Sequence, residues 1–235
     1  LPWIRHPEYE QCLEEEWFFQ AVTETYAALL MSLHRLARQE VPYQLTISLS
    51  PTLCEMSTDE MLMNRCRGYI EQKLELAERE LRRTRGTAFE DAAGCHERHL
   101  RAVWEWFVEK RSCELLEAFA ELQRAGHVEL VTTAATHALL PLLANESARA
   151  AQVETACRNF EKHFGARPRT MWLPECAYEP SVEKALADAG VGSFFVESHA
   201  ALLAEPTPER GVFAPMRTPA GLYAFARDAE PSRQD

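Results

Sequence analysis

The chain is poor in several of the features by which function often shows itself. Only 9 of its 235 residues are glycine, and none of them belongs to the Gly-rich loop that cradles nucleotide phosphates. No two cysteines form a C-x-x-C pair; the seven stand scattered at 12, 54, 66, 95, 113, 157 and 176. An odd, unpatterned set argues against a disulfide framework and for a reducing compartment, so a cytoplasmic location is expected. Cys95, His96 and His99 come nearest to a metal cluster, but no second Cys/His group follows at zinc spacing, and no metal site is expected. No apolar run approaches the roughly 20 residues that crossing a bilayer requires, and no secretory leader is visible. Basic residues are outnumbered, 25 Lys and Arg against 36 Asp and Glu, for a net charge of -11. That balance lacks the basic face that displaces counterions from nucleic acid, and anionic membranes would repel it; neither partner is expected. A neutral polysaccharide is compatible with it. Repeats and low-complexity tracts are also missing.

What is present is an alternation of helical and strand patterns. Hydrophobic residues make up 46% of the chain, enough for one large core or two small ones. Residues 10–40 read as one long helix, with Leu13, Trp17, Val22, Tyr26, Leu29, Leu30, Leu33 and Leu36 on its apolar side. A strand is expected over 43–49, where Leu45, Ile47 and Leu49 alternate, then a turn at 50–52. Helices are expected over 58–83, 96–125 and 147–164, with a small connection at 84–94. Gly126 is placed to end the helix that precedes it. Strands are expected over 128–133 and 193–196, with short candidates at 212–216 and 222–226. The order points to an α/β fold with a mainly parallel sheet.

The most informative segment is Met171-Trp172-Leu173-Pro174-Glu175-Cys176-Ala177-Tyr178. A short apolar strand ends in a carboxylate, and a helical pattern over 180–189 follows. Folds of this class place catalytic groups at the carboxyl ends of buried strands. The competing reading is a helix-capping glutamate. The aromatic and apolar flanks favour a functional carboxylate. Cys176 is not read as a nucleophile, because a catalytic thiol needs a paired base, and none is legible nearby.

This segment resembles the nucleophile motif of glycoside hydrolase family 57, in its 1,4-α-glucan branching enzyme subgroup. Other stretches are similar to that subgroup in the same order. They are Leu1-Pro2-Trp3-Ile4-Arg5-His6-Pro7-Glu8; Glu15-Glu16-Trp17-Phe18 with Thr23-Glu24-Thr25-Tyr26; Gly126-His127-Val128-Glu129-Leu130 with Ala135-Thr136-His137 and Leu140-Pro141; and Phe225-Ala226-Arg227-Asp228 with Glu230, Ser232, Arg233 and Gln234. The resemblance implies a (β/α)7 barrel, incomplete here, with its first strand and its C-terminal part outside the 235 residues. It implies cleavage of α-1,4 bonds and formation of α-1,6 bonds in an α-glucan such as amylose, by a retaining mechanism without a cofactor. Glu175 is then the nucleophile. The general acid, an aspartate in the family, is expected beyond residue 235, Asp235 itself not matching, so the isolated chain is expected to be inactive.

His137, in the loop after the strand at 128–133, is expected to contact substrate. Trp172, Trp3, Tyr178 and His6 are expected to line sugar subsites, the aromatic faces by stacking. Trp104, Trp106 and Trp17 read as packing residues, and Glu129 as structural. The Pro- and Gly-containing stretch 199–222 reads as a lid over the cleft. Two other readings remain open: an α-amylase or 4-α-glucanotransferase of the same family, and a glucan-binding relic without catalysis. Oligomeric state cannot be read from the sequence.

Overall fold

The computed structural model describes residues 2–232. Leu1 of the first motif, and Arg233, Gln234 and Asp235, lie outside the described residues. In chain order the elements begin with helices α1 (Leu13–Gln20) and α2 (Ala27–Arg38), joined through a π-helical turn at Ala21–Tyr26. Strand β1 (Leu45–Ser48) and the short helix α3 (Pro51–Met56) follow. Next come α4 (Glu60–Arg83), α5 (Glu90–Val103) and α6 (Leu115–Arg124). The remainder alternates: β2 (Val128–Thr133), α7 (Glu146–Phe164), β3 (Thr170–Trp172), α8 (Glu183–Asp188), β4 (Ser193–Val196), α9 (Ser198–Leu202), β5 (Met216–Arg217) and β6 (Tyr223–Ala226). No helix among the described residues is long and apolar enough to cross a membrane.

The chain divides into two compact units. One holds the residues up to Leu45 together with Glu55–Val128; the other holds Thr46–Cys54 together with the residues from Glu129 onward. The first unit is helical. Its α4 packs against α5 and α1, and α2 against α6. Phe18, Val22, Leu30, Leu62, Ile70 and Phe119 are among its buried side chains. A buried carboxylate, Glu15, forms an ion pair with Arg65 at 2.7 Å.

Two sequence readings of this unit need correction. The helix expected over 10–40 contains a π turn, and the wider turn breaks the 3.6-residue period. N-terminal to that turn the inward side is therefore Glu15, Phe18 and Phe19, while Trp17 is 49% exposed. The helix expected over 96–125 is broken as well. A π-helical stretch at Trp104–Glu109 runs into Ser112 and Cys113, both at positive φ, before α6 begins. Neither proline nor glycine marks that break. Gly126 does end α6, at φ 78, where His127 N–H reaches back to Leu122 O at 3.0 Å.

The second unit is α/β. Its strands lie in the order β1-β2-β3-β4-β6-β5. β2, β3, β4 and β6 pair in parallel, and β5 pairs antiparallel to β6 through the turn closed by Gly221. The sheet is therefore mixed. A connection too short to cross over leaves β5 no choice but the antiparallel direction. One face of the sheet is apolar: Met171, Phe194, Val196 and Ala224 pack with Val153, Cys157 and Leu186 of α7 and α8. Each such fully buried Leu or Phe contributes about 1.5–3 kcal/mol. The stretch 199–222 is more ordered than a plain loop, since it contains most of α9, a 3-10 turn at Gly211–Phe213, and β5.

Candidate active site

Parallel pairing puts the carboxyl ends of β2, β3, β4 and β6 along one edge of the sheet. A polar or charged side chain stands at or within four residues of each of these strand ends. His137 lies in the loop after β2 and Glu175 in the turn after β3; Glu197 directly follows β4 and Arg227 directly follows β6.

The turn after β3 is unusual backbone. Leu173 is extended, but Glu175 sits at φ 52 and ψ 25 and Cys176 at φ 52. Left-handed geometry in an L-residue costs roughly 1–2 kcal/mol per residue, so two in succession need compensation. Two backbone bonds supply part of it: Cys176 N–H to Leu173 O at 2.8 Å and Ala177 N–H to Pro174 O at 3.0 Å. The outcome is a division of labour. Cys176 is buried beneath the turn, while the Glu175 side chain stands 75% exposed above it.

His137 has the same left-handed geometry, at φ 57. Its Nε2 lies 3.3 Å from Glu175 Oε1, and its Nδ1 lies 3.4 Å from the hydroxyl of buried Thr133. Gln152 of α7 steadies this loop from the helix side. Its side-chain oxygen accepts from Thr136 N–H at 3.0 Å, its amide donates to Thr136 Oγ1 at 3.0 Å, and its backbone carbonyl accepts from Ala135 N–H at 3.1 Å. The sheet thus brings together the two residues that the sequence marked most strongly.

Trp172, Phe195 and Phe225 are register partners on adjacent strands and form an aromatic row on the face opposite the α7–α8 core. Their ring centroids are 5.3 and 5.9 Å apart. The Arg227 guanidinium lies 5.7 Å from the Trp172 ring centroid and pairs with Glu197. Burial pushes the Cys176 thiol up, and Glu197 adds to this while Arg227 opposes it. A thiol held protonated is no nucleophile, in agreement with the sequence reading.

Sequence reasoning missed Glu197 as a site residue and gave Arg227 no role. The signal was present as a charge directly after an alternating apolar strand, in Phe194-Phe195-Val196-Glu197 and Tyr223-Ala224-Phe225-Ala226-Arg227.

The other expected residues fall elsewhere. Tyr178 turns to the core side: its ring stacks on buried Phe194 at 5.3 Å, and its hydroxyl donates to the carboxylate of buried Glu183. The same carboxylate accepts from Thr218 Oγ1 at 2.7 Å and Ala220 N–H at 3.1 Å. The phenol is engaged there, and Tyr178 ties the turn to the core. Glu129 stands at the opposite end of β2 from His137 and accepts from Thr170 Oγ1 at 3.3 Å. Trp3, 51% exposed, and His6 belong to the first unit.

An exposed carboxylate beside an imidazole, at the carboxyl ends of parallel strands that also carry an aromatic row, suits covalent attack on an electrophilic carbon. The family model of glycosyl hydrolase family 57 matches residues 1–234. The chain belongs to glycosyl hydrolase family 57. It is 37% identical over 199 residues to a 1,4-alpha-glucan branching enzyme of Thermococcus kodakarensis, a match over 78% of this chain and 29% of the relative. Among solved structures it is similar to the alpha-amylase AmyC of Thermotoga maritima, with TM-score 0.94, 38% identity, and coverage of 100% of this chain and 45% of that one. It is also similar to a branching enzyme of this family from Pyrococcus horikoshii, with TM-score 0.90, 33% identity, and coverage of 98% and 46%. The chain therefore spans less than half the length of these relatives.

Proposed function

We propose that this chain carries the nucleophile half of a 1,4-α-glucan branching enzyme, and that Glu175 is the nucleophile. The observation that carries the reading is the Glu175–His137 pair, 3.3 Å apart on two strained turns at one sheet edge. In the proposed first step a Glu175 carboxylate oxygen attacks C1 of a glucose unit. The C1–O4 bond breaks, and the departing O4 takes a proton from a second carboxylic acid. In the next step the 6-hydroxyl of an acceptor chain attacks C1, gives its proton to that same second group, and releases Glu175. The anomeric configuration is retained because C1 is inverted twice. Glu197 is already engaged in an ion pair with Arg227, and the proton donor is proposed to be another group. The family pattern assigns that role to an aspartate beyond residue 235.

His137 is proposed to orient Glu175 and to contact sugar hydroxyls, and Trp172 to stack on a glucose ring. Trp3 and His6 are proposed as glucan contacts on the family motif alone. The sheet is proposed to be part of a (β/α)7 barrel, and 199–222 a lid. The lid reading is supported by exposed Leu203 and Phe213, and by a cavity of about 630 Å³ lined by Ser198, Leu202, Phe213 and Asp228 among others. Seven free thiols support a reducing, cytoplasmic setting.

The amylase named among the structural relatives makes hydrolysis the second reading. Incubation of the intact protein with amylose separates the two. New α-1,6 anomeric signals in the proton NMR spectrum without a matching rise in reducing ends support branching. Reducing ends alone support hydrolysis, and neither product contradicts both.

A further inference from the structure

The N-terminal segment of the first unit gathers metal-binding side chains that the sequence spacing did not announce. One ligand atom each from His6, Cys12 and Glu14 lies within 4.8 Å of the others. We propose that His6, Cys12 and Glu14 bind a divalent transition-metal cation, with Zn2+ the best match. Imidazole, thiolate and carboxylate are the three ligand types that Zn2+ takes in proteins. In a tetrahedral shell with bonds of about 2.0–2.3 Å the ligand atoms lie about 3.3–3.8 Å apart, so the widest pair closes by up to about 1 Å to seat the ion.

The surroundings prepare the site. His6 is clamped on both sides of its backbone: its N–H donates to Glu15 Oε1 at 2.8 Å, and its carbonyl accepts from Arg65 Nη1 at 3.1 Å. Both partners belong to the buried Glu15–Arg65 ion pair. Glu8 Oε1 sits 3.2 Å from His6 Nδ1, the carboxylate–imidazole pairing that orients many metal-bound histidines. Cys12 is the N-cap residue of α1, and its side chain makes no capping bond to the helix. Its thiol donates to Glu14 Oε2 at 2.8 Å, and that bond holds the thiol protonated. On binding, the Cys12 proton leaves to solvent, and the S–H···O bond is replaced by one metal–sulfur and one metal–oxygen bond, with water completing the coordination. No electron is transferred. With His6 on the ion, the glucan contact proposed for the first motif falls to Trp3, and the site is independent of the proposed catalytic role of Glu175.

Metal-free, reduced protein titrated with Zn2+ alone in a calorimeter, and with Co2+ alone in a spectrophotometer, tests the site. The expected result is one Zn2+ per chain and a thiolate-to-Co2+ charge-transfer band. Cys12→Ser and His6→Ala each weaken binding at least about tenfold, and Cys12→Ser abolishes the band. Cys95→Ser, at an exposed thiol on α5, leaves both unchanged. Glu14→Gln, which alters no backbone-forming group, is the milder variant, and circular dichroism checks each fold. Absence of Zn2+ binding, full binding by either Cys12→Ser or His6→Ala, or a Co2+ band that survives Cys12→Ser overturns the proposal.

Discussion

Among the described residues, the helical unit and the sheet unit each hold three non-glycine residues in left-handed conformation, at very different places. In the helical unit Glu40 follows the end of α2, and Ser112 and Cys113 form the break before α6. They terminate helices, a task glycine or asparagine would do at lower cost. In the sheet unit His137, Glu175 and Cys176 all lie past the carboxyl ends of strands, and two of them are in contact through their side chains. The same strain that only stops a helix in one unit is proposed to aim chemistry in the other. The units also bury a carboxylate differently. Glu15 is 1% exposed and neutralised by Arg65, whereas Glu183 is 3% exposed and held by the hydroxyls of Tyr178 and Thr218 and the N–H of Ala220.

The largest effect expected from this contrast is on transfer. In the intact protein, Glu175→Gln should lower glucan transfer by at least about a thousandfold while leaving the circular dichroism spectrum unchanged. Retention of transfer would place the nucleophile elsewhere. Next come the buried carboxylates. Glu15→Ala should destabilise by about 3 kcal/mol, because Arg65 is left without its partner. Glu183→Ala should cost about 2 kcal/mol, through neutral donors left unsatisfied. Urea unfolding followed by tryptophan fluorescence measures both, and the reverse ranking would break the distinction drawn between charged and neutral compensation.

A smaller effect separates strain with a purpose from strain without one. Glu40→Gly and Glu175→Gly should each raise stability by about 0.5–1 kcal/mol by relieving positive φ. Only the second should abolish activity, and thermal melts alongside transfer assays read the pair.

The smallest effect concerns acid. Arg167 and Arg158 hold the Glu154 carboxyl down to about 2. A carboxylate depressed in the folded state stabilises fully above its ordinary range and loses that contribution as pH falls through the folded value. Glu154→Gln should therefore remove part of the stability loss between roughly pH 4.5 and 2, seen as a shallower acid limb in melting temperature against pH. Because the group is exposed, the change should be slight.

Much of the sheet unit was legible in the sequence because its signals are local. Strands at 128–133 and 193–196 are short apolar runs between turns and fall where expected. Glu175 stood out as a candidate because a carboxylate ends such a run between apolar and aromatic flanks. The failures have a common cause in non-local geometry. The two π turns leave no compositional mark, so Trp17 was assigned to the wrong side of its helix. The partners of Tyr178, Glu183 and Phe194, likewise declare themselves only once the fold is known. The Arg227–Glu197 pair joins residues 30 positions apart, and only the parallel pairing of β4 with β6 makes them neighbours.

The most direct test of the central claim is covalent. A fluorinated α-glucosyl fluoride, which forms the glycosyl–enzyme ester quickly and releases it slowly, would be given to the intact protein, and the labelled peptide identified by mass spectrometry. The account predicts one sugar attached to the Glu175 carboxylate and none in Glu175→Gln. A label on any other carboxylate, with Glu175 unmodified, would contradict it.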